Sequence, residues 1–130
     1  MIAFTIAGAP RTKKTHNNAH RTGAPCRCCG MRRGHLRVGP SPQYVAWAET
    51  FTAEVLRQRL VLKLSGPLTV RALFYRDRAI GDLTGYLQAL GDALQKAGVI
   101  ENDRQILSWD GSRLLKDAAH PRVEVEIGEC

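Results

Sequence analysis

The sequence lacks any hydrophobic run long enough to cross a membrane. Its 130 residues are 44% hydrophobic, yet no apolar stretch approaches the roughly 18 residues that a membrane-spanning helix needs. Met1 is followed by a segment typical of a β-strand, not by the basic and apolar regions of a secretory signal. We therefore expect no membrane partner and no signal peptide.

Cysteine is scarce, and its distribution excludes a disulfide-rich scaffold. The chain has four cysteines, and three of them fall within positions 26–29. Small secreted scaffolds carry a denser and more evenly spaced set. We therefore expect a cytoplasmic protein. Because 130 residues is an ordinary length for one domain, we also expect a single domain over residues 1–130.

Acidic residues are almost absent from the first third of the chain, where Glu49 is the only one among residues 1–50. As a result, residues 1–48 carry a formal charge of +8, whereas residues 49–130 carry −1. A basic block of this kind is typical of proteins that bind a polyanion, most often nucleic acid. A solvated loop that only aids solubility would have the same composition.

The hydrophobic pattern predicts an α/β (α+β) domain in the order β–loop–α–β–α–β–β, with a mixed sheet and two main helices. A basic loop that contains cysteine and histidine occupies about residues 9–41. The predicted strands are residues 2–7, 68–75, 106–115 and 122–127, the first of them central in the sheet. The predicted helices are residues 42–60 and 82–97.

Both helices have recognisable ends and one apolar stripe each. Ser41 can cap the first helix and Pro42 suits its first turn, while Gly98 is expected to end the second. The expected core positions of the first helix are Tyr44, Trp47, Phe51 and Val55. Those of the second are Leu83, Leu87, Leu90 and Leu94.

Acidic residues lie at both ends of the second predicted helix. Asp82 at its start either caps free N–H groups or offers a carboxylate to a ligand. Beyond its end, the run Glu101-Asn102-Asp103 suits either a turn or a Mg²⁺ site. A helix of sixteen residues carries the chain about 24 Å away from Asp82, so the two aspartates meet only if the chain runs back. A polar row lies between them: Thr84, Gln88, Asp92 and Lys96.

Several segments, in this order, resemble the RusA family of Holliday junction resolvases. They are GAPRTKK after the first strand, SPQYVAWAE, GPLTVRALFY, the long block GDLTGYLQALGDALQKAGVIENDRQI, and PRVEVEI. The long block is the specific one, and the resemblance covers most of the chain except about residues 16–38.

This resemblance implies a homodimeric endonuclease that uses Mg²⁺ or Mn²⁺ to cut phosphodiester bonds at four-way junctions in DNA recombination and repair. Asp82 and Asp103 match the first and last catalytic acids of the family and are the implied metal ligands. Asp92 matches a supporting helix aspartate. We expect branched DNA to contact basic side chains at Arg11, Lys13, Lys14, Arg32, Arg33 and Arg104.

The chain departs from the family pattern at four positions. Thr84 replaces the second acid and Gln88 replaces a lysine, so an acid and a base are lost together from one helical row. The other two departures are Gly85 for an asparagine and Asn102 for an aspartate. One hypothesis is that Glu101 supplies the missing carboxylate. The alternative is a non-catalytic protein that binds branched DNA on the same scaffold.

Cysteines and histidines in the basic loop form half of a zinc-binding pattern. Cys26 and Cys29 have the Cys-x-x-Cys spacing, and His20 and His35 can complete a tetrahedral Zn²⁺ site. Cys28 and His16 are alternative ligands. A structural Zn²⁺ would make this segment a zinc-stabilised nucleic-acid-binding module. Without zinc, these cysteines are reduced thiols in a mobile loop.

Overall fold

The computed structural model describes residues 1–12, 18–21, 27–29, 36–39 and 41–130, of which 18–21 and 36–39 are described by their backbone alone. In these ranges the chain forms seven strands, two α-helices and a short 3₁₀ turn at Asp103–Gln105. The strands are β1 (Ile2–Ala7), β2 (Asn18–Arg21), β3 (Leu36–Gly39), β4 (Leu68–Arg76), β5 (Ile106–Ser108), β6 (Arg113–Lys116) and β7 (Arg122–Glu129). The helices are α1 (Pro42–Arg57) and α2 (Leu83–Ala97).

Five strands form one mixed sheet in the order β1-β7-β4-β5, with β6 also paired to β4. β7 is antiparallel to both β1 and β4, whereas β5 and β6 are parallel to β4. This confirms the predicted mixed sheet with two helices. The prediction that β1 is central is wrong, since in the described chain it pairs with β7 alone and forms an edge. The composition of a strand does not specify its neighbours, which depend on how the later strands return.

Both helices cover the same face of this sheet. Phe51 of α1 packs edge-on against Phe4 of β1, with ring centroids 6.5 Å apart. Tyr86 of α2 packs on Phe74 of β4 at 5.4 Å. The predicted stripe of α1 is confirmed, because its buried residues are Tyr44, Trp47, Phe51 and Val55. In α2, Leu90 and Leu94 are fully buried as predicted, whereas Leu83 and Leu87 are only partly buried beside them.

The predicted helix caps are present. The Ser41 hydroxyl accepts a hydrogen bond from the Tyr44 N–H at 3.1 Å, and Gly98 ends α2 in the left-handed conformation with φ of 83°. α1 ends three residues before the predicted position 60, because Arg59 takes a positive φ of 58° and turns the chain. The side chain of Gln58 donates to the carbonyl oxygen of Thr5, which attaches this helix end to β1.

The predicted single strand over residues 106–115 is two short strands, β5 and β6, separated by a turn. The turn is closed by a hydrogen bond from the Ser112 N–H to the Trp109 carbonyl at 3.1 Å, and Gly111 adopts a φ of 81°. The Ser112 hydroxyl accepts from the Ala72 N–H of β4. The turn therefore lets β5 and β6 pair in succession with the two ends of β4.

The predicted loop at 9–41 contains a β-hairpin. β2 and β3 pair antiparallel, with Asn18 opposite Gly39 and Arg21 opposite Leu36. Each strand has only four residues, so the alternation of apolar and polar residues in LRVG is too short to predict a half-buried strand, and NAHR has a single apolar residue. Among the helices in the described part of the chain, none is both long and apolar enough to cross a membrane.

Candidate nucleic-acid and metal site

The candidate site lies at the edge of the sheet that is formed by the carboxyl ends of β1, β4 and β6, which is distinct from the long side of the edge strand β1. β1 and β4 run in the same direction because each is antiparallel to β7, and β6 is parallel to β4. Residues 8–12 follow β1, and residues 77–82 connect β4 to α2. These two segments therefore leave the sheet at the same end, although β7, which lies between β1 and β4, runs in the opposite direction.

Asp82 lies at this edge as the N-cap of α2. Its Oδ1 accepts a hydrogen bond from the Gly85 N–H at 2.9 Å, and the residue is exposed. The capping role expected from its position is confirmed. The capping bond engages only one of the two carboxylate oxygens, so it does not decide between a cap and a metal ligand.

The basic N-terminal segment begins directly beside Asp82. A Cβ atom at position 85 would lie 2.9 Å from Oδ1 of Asp82 and 3.4 Å from Cγ2 of Thr12. Thr12 itself is only 3% exposed. Thr12, which the sequence places one residue before Lys13 and Lys14, is thus packed against the first turn of α2. The absence of a side chain at Gly85 makes this close approach possible.

Arg11 forms a two-bond ion pair with Asp77 across this edge. Its Nη1 and Nη2 lie 2.9 and 3.2 Å from the two carboxylate oxygens. The hydrogen bond from Arg11 lowers the pKa of Asp77, and the bond to Asp77 raises the pKa of Arg11. The phosphate contact of Arg11 stays a prediction; what the structure has is its pairing with Asp77, which joins the segment after β1 to the segment after β4.

Arg76 and Tyr86 hold the segment that leads to Asp82. Arg76 Nη1 donates to the carbonyl oxygens of Ile80 and Gly81, each at 3.3 Å, and its guanidinium lies 5.5 Å from the centre of the Tyr86 ring. The Tyr86 hydroxyl donates to the Ile80 carbonyl at 2.7 Å. The sequence does not single out either residue, since Arg76 resembles an ordinary turn residue and Tyr86 an ordinary core residue. The one sequence feature that could have pointed to Arg76 is its place at the end of a strand, six residues before Asp82.

Asp103 lies beside the middle of α2, not at its start. A Cβ atom at position 91 would lie 3.6 Å from the Asp103 Cβ, and the Asp103 N–H donates to the side chain of Gln95. Position 91 is six residues beyond Gly85, about 9 Å along the helix axis. The chain does run back along α2, but Asp103 stops beside position 91, on a different turn and a different face of the helix from position 85, so the two exposed aspartates lie at separate places along α2. In the described ranges, no three His, Cys, Asp or Glu side chains form a group that could hold a metal ion.

The segment around Asp103 is a well-capped turn. Asn102 caps it by accepting from the Arg104 N–H at 2.9 Å, and the Asn102 N–H donates to Gln105 Oε1 at 2.7 Å. Gln105 Nε2 also donates to the carbonyl oxygens of Leu64 and Gly66. The turn interpretation of residues 101–103 is therefore confirmed for Asn102, while the side chains of Glu101, Asp103 and Arg104 remain exposed.

The remaining predicted residues are distributed as follows. In the polar row of α2, Thr84, Gln88 and Lys96 are exposed and Asp92 is half-buried. His20 belongs to β2, and Cys28 and Cys29 are exposed. Outside the described residues lie Lys13, Lys14, His16, Cys26, Arg32, Arg33 and His35. No family model matches this chain, and a comparison with curated proteins gives no match.

Proposed function

We propose that this protein is a RusA-like endonuclease that uses Mg²⁺ or Mn²⁺ to cut phosphodiester bonds at four-way DNA junctions. The observation that carries the proposal is the packing of Thr12 against Gly85, the residue whose N–H bonds to the exposed Asp82 carboxylate, so that an acid lies near the start of the basic segment. Phosphodiester cleavage needs both features, because carboxylates hold the cation and basic side chains bind the flanking phosphates.

The exposed carboxylate of Asp82 fits a magnesium ion. Mg²⁺ is usually bound by one or two carboxylates together with substrate phosphates and water. In the proposal Asp82 holds the ion. Asp103, which lies beside position 91, about 9 Å along the helix axis from position 85, is the second acid that the reaction needs. When bound, the cation neutralises charge on the phosphate and activates water.

In this proposal, basic side chains bind the DNA on either side of the acids. The exposed Arg104 lies next to Asp103 in the chain, and Lys13 and Lys14 follow Thr12. Contacts to phosphate add affinity and salt dependence without reading the base sequence. Replacing Lys13 or Lys14 by alanine is therefore expected to weaken binding equally on junctions of different sequence and to flatten its salt dependence. An effect limited to one junction sequence would contradict phosphate contact.

The proposed active form is a homodimer that acts in recombination and repair. A four-way junction is close to two-fold symmetric and needs two symmetric cuts, and a dimer with two-fold symmetry supplies two equivalent sites. The molar mass in solution, with and without a synthetic junction, tests this part of the proposal. A chain that remains monomeric on the junction would contradict it.

The central experiment is cleavage of a synthetic four-way junction with Mg²⁺ or Mn²⁺. We expect cleavage by the natural chain and at least a hundredfold loss for Asp82→Asn and for Asp103→Asn, since the first removes the proposed metal ligand and the second the proposed second acid. Glu49→Gln is the matched control, because this exposed acid lies on α1 and also loses one negative charge. Full activity in either aspartate variant would contradict the assignment of that residue.

A second candidate is a protein that binds branched DNA without cutting it. One observation favours it: the described residues contain no group of three metal-binding side chains. Junction binding without cleavage under either metal would support this candidate over the nuclease.

A zinc-stabilised nucleic-acid-binding hairpin is a third candidate, favoured by the register of β2 and β3. Arg21 lies opposite Leu36, so the segment with Cys26 and Cys29 begins and ends at neighbouring positions. The zinc content of the purified protein tests it. We expect one Zn²⁺ per chain and its loss in Cys26→Ser and Cys29→Ser, whereas zinc-free protein with normal DNA binding would exclude it.

A further inference from the structure

A groove of about 300 Å³ lies between the segment after β1 and the first half of α1. It lies beside the candidate site, because Arg11 lines it and the next residue, Thr12, contacts the start of α2. The principal lining residues are Gly8, Arg11, Gln43, Ala46, Trp47 and Thr50. The groove and the Asp82 site are therefore on two sides of one short stretch of chain.

The described polar side chains that line this groove carry several hydrogen-bond donors and no negative charge. The Arg11 guanidinium and the Trp47 indole can donate but cannot accept, and the Gln43 amide carries two N–H bonds. The Thr50 hydroxyl already donates to the Ala46 carbonyl at 3.0 Å. No acidic side chain is among the described residues that line the groove. A ligand that fits this chemistry is rich in acceptors and negatively charged.

The indole N–H of Trp47 has no hydrogen-bond partner in the described chain. Trp47 is only 5% exposed, and its Nε1 is buried. Buried donors are almost always paired, because an unpaired one loses its bond to water without compensation. The ring is held by Tyr44 and Phe51, with centroids 6.2 and 5.5 Å away. Because Trp47 lines the groove, an acceptor that enters it and shifts the neighbouring side chains would gain a hydrogen bond that the described residues leave unmade.

We propose that this groove binds a backbone phosphate of the DNA on which the Asp82 site acts, with Arg11, Gln43 and Trp47 Nε1 as donors. The inference rests on the proposed function and extends it to residues of α1. The ion pair with Asp77 uses two of the five N–H bonds of Arg11, so Arg11 can donate to a phosphate while it remains paired. Because Nε1 is shielded from solvent, the phosphate reaches it only as neighbouring side chains shift.

The first experiment compares two exposed alanines of α1 that lie two helical turns apart. Ala46 lines the groove, and Ala53 does not. Ala46→Glu and Ala53→Glu change the net charge equally. Binding to a synthetic four-way junction is measured without divalent metal, so that cleavage does not interfere. We expect Ala46→Glu to bind at least tenfold more weakly than Ala53→Glu, because its carboxylate repels the phosphate.

The second experiment uses the fluorescence of Trp47. The chain has two tryptophans, so Trp109→Phe leaves Trp47 as the only indole. We expect its emission to change when the junction is added. Inorganic phosphate at equal phosphate concentration distinguishes a free anion from a nucleic-acid phosphate. A response to inorganic phosphate but not to DNA would contradict the proposal.

The outcomes separate this inference from the proposed function. If the natural chain binds the junction and the two glutamate variants bind equally, the groove assignment is wrong and the nuclease proposal stands. If the natural chain does not bind the junction, both are wrong. Trp47→Phe, which keeps an aromatic ring but removes the donor, is expected to weaken binding severalfold. Circular dichroism checks its folding. If this variant is unfolded, the comparison of Ala46→Glu with Ala53→Glu decides whether the groove binds phosphate.

Discussion

Arg11 and Asp77 are 66 positions apart in the chain, yet their side chains form two parallel hydrogen bonds of 2.9 and 3.2 Å. The pair joins the segment that leaves β1 to the segment that leaves β4. Both segments lead to the candidate site, one through Thr12 and the other through Asp82. The ion pair therefore aligns a basic and an acidic part of the chain that no local interaction would bring together.

This pairing predicts a pH dependence of stability that Asp77→Asn should lose. The pKa of Asp77 is lower in the folded chain than its usual value of 3.8, chiefly because Arg11 donates to it. The stabilisation is therefore complete at neutral pH and is lost as the pH falls below about 4 through the folded pKa. The two side chains are 25% and 27% exposed, so solvent screening limits the effect to about 1 kcal/mol or less.

Urea unfolding of the natural chain and of Asp77→Asn at pH 7 and pH 3 measures this difference. The gap in unfolding free energy between the two proteins should be larger at pH 7. Glu124→Gln in β7 serves as a control for removing a different paired acid. A gap for Asp77→Asn that is unchanged between the two pH values would refute the assigned role of the pair.

Two substitutions at Asp82 separate its capping role from its proposed metal role. Asparagine caps a helix about as well as aspartate, whereas alanine loses the cap at a cost of about 1 kcal/mol. We expect Asp82→Asn to keep its thermal stability but lose cleavage, and Asp82→Ala to lose both. Thermal unfolding and junction cleavage measured on the same preparations test this. Equal cleavage by Asp82→Asn and the natural chain would leave the residue with a cap alone.

Replacing each of two glycines of α2 by alanine should change the stability of the folded chain by different amounts. At Gly91 a Cβ would make an ordinary 3.6 Å contact with Asp103, so alanine should stabilise the helix by up to about 1 kcal/mol. At Gly85 the Cβ would lie 2.9 Å from the capping oxygen of Asp82. The loss of the cap then offsets the helix preference of alanine. We expect Gly85→Ala to unfold at a lower temperature than Gly91→Ala and to cut junctions more slowly.

The Tyr86 hydroxyl should act on catalysis by positioning the segment before Asp82. Tyr86→Phe removes the 2.7 Å hydrogen bond to the Ile80 carbonyl but keeps the ring over which Arg76 lies. The expected stability cost is about 1 kcal/mol. We expect a severalfold lower cleavage rate with unchanged junction affinity. Tyr75→Phe is the matched control, since this half-buried tyrosine lies on the same β4–α2 unit but packs under Arg122 instead. A fall in affinity rather than in rate would place Tyr86 in DNA binding.

Much of the fold could be predicted because its signals are local. The cap at Ser41, the stripe from Tyr44 to Val55 and the end of α2 at Gly98 each depend on residues within a few positions of one another. The same holds for the capping position of Asp82. The turn that divides β5 from β6 is missed although its signal is local: Asp110-Gly111 is a dipeptide typical of turns, and the prediction includes it in one strand.

The sequence alone determined where the helices begin, which of their faces are buried, and that the excess positive charge lies before residue 49. Only the tertiary structure decided that β1 is an edge strand, that Arg11 pairs with Asp77, and that Thr12 lies against the cap of α2. The physical reason is range. Propensity, capping and amphipathic periodicity act over about one or two helical turns. Contacts between residues tens of positions apart arise only when the sheet and both helices pack around a common core.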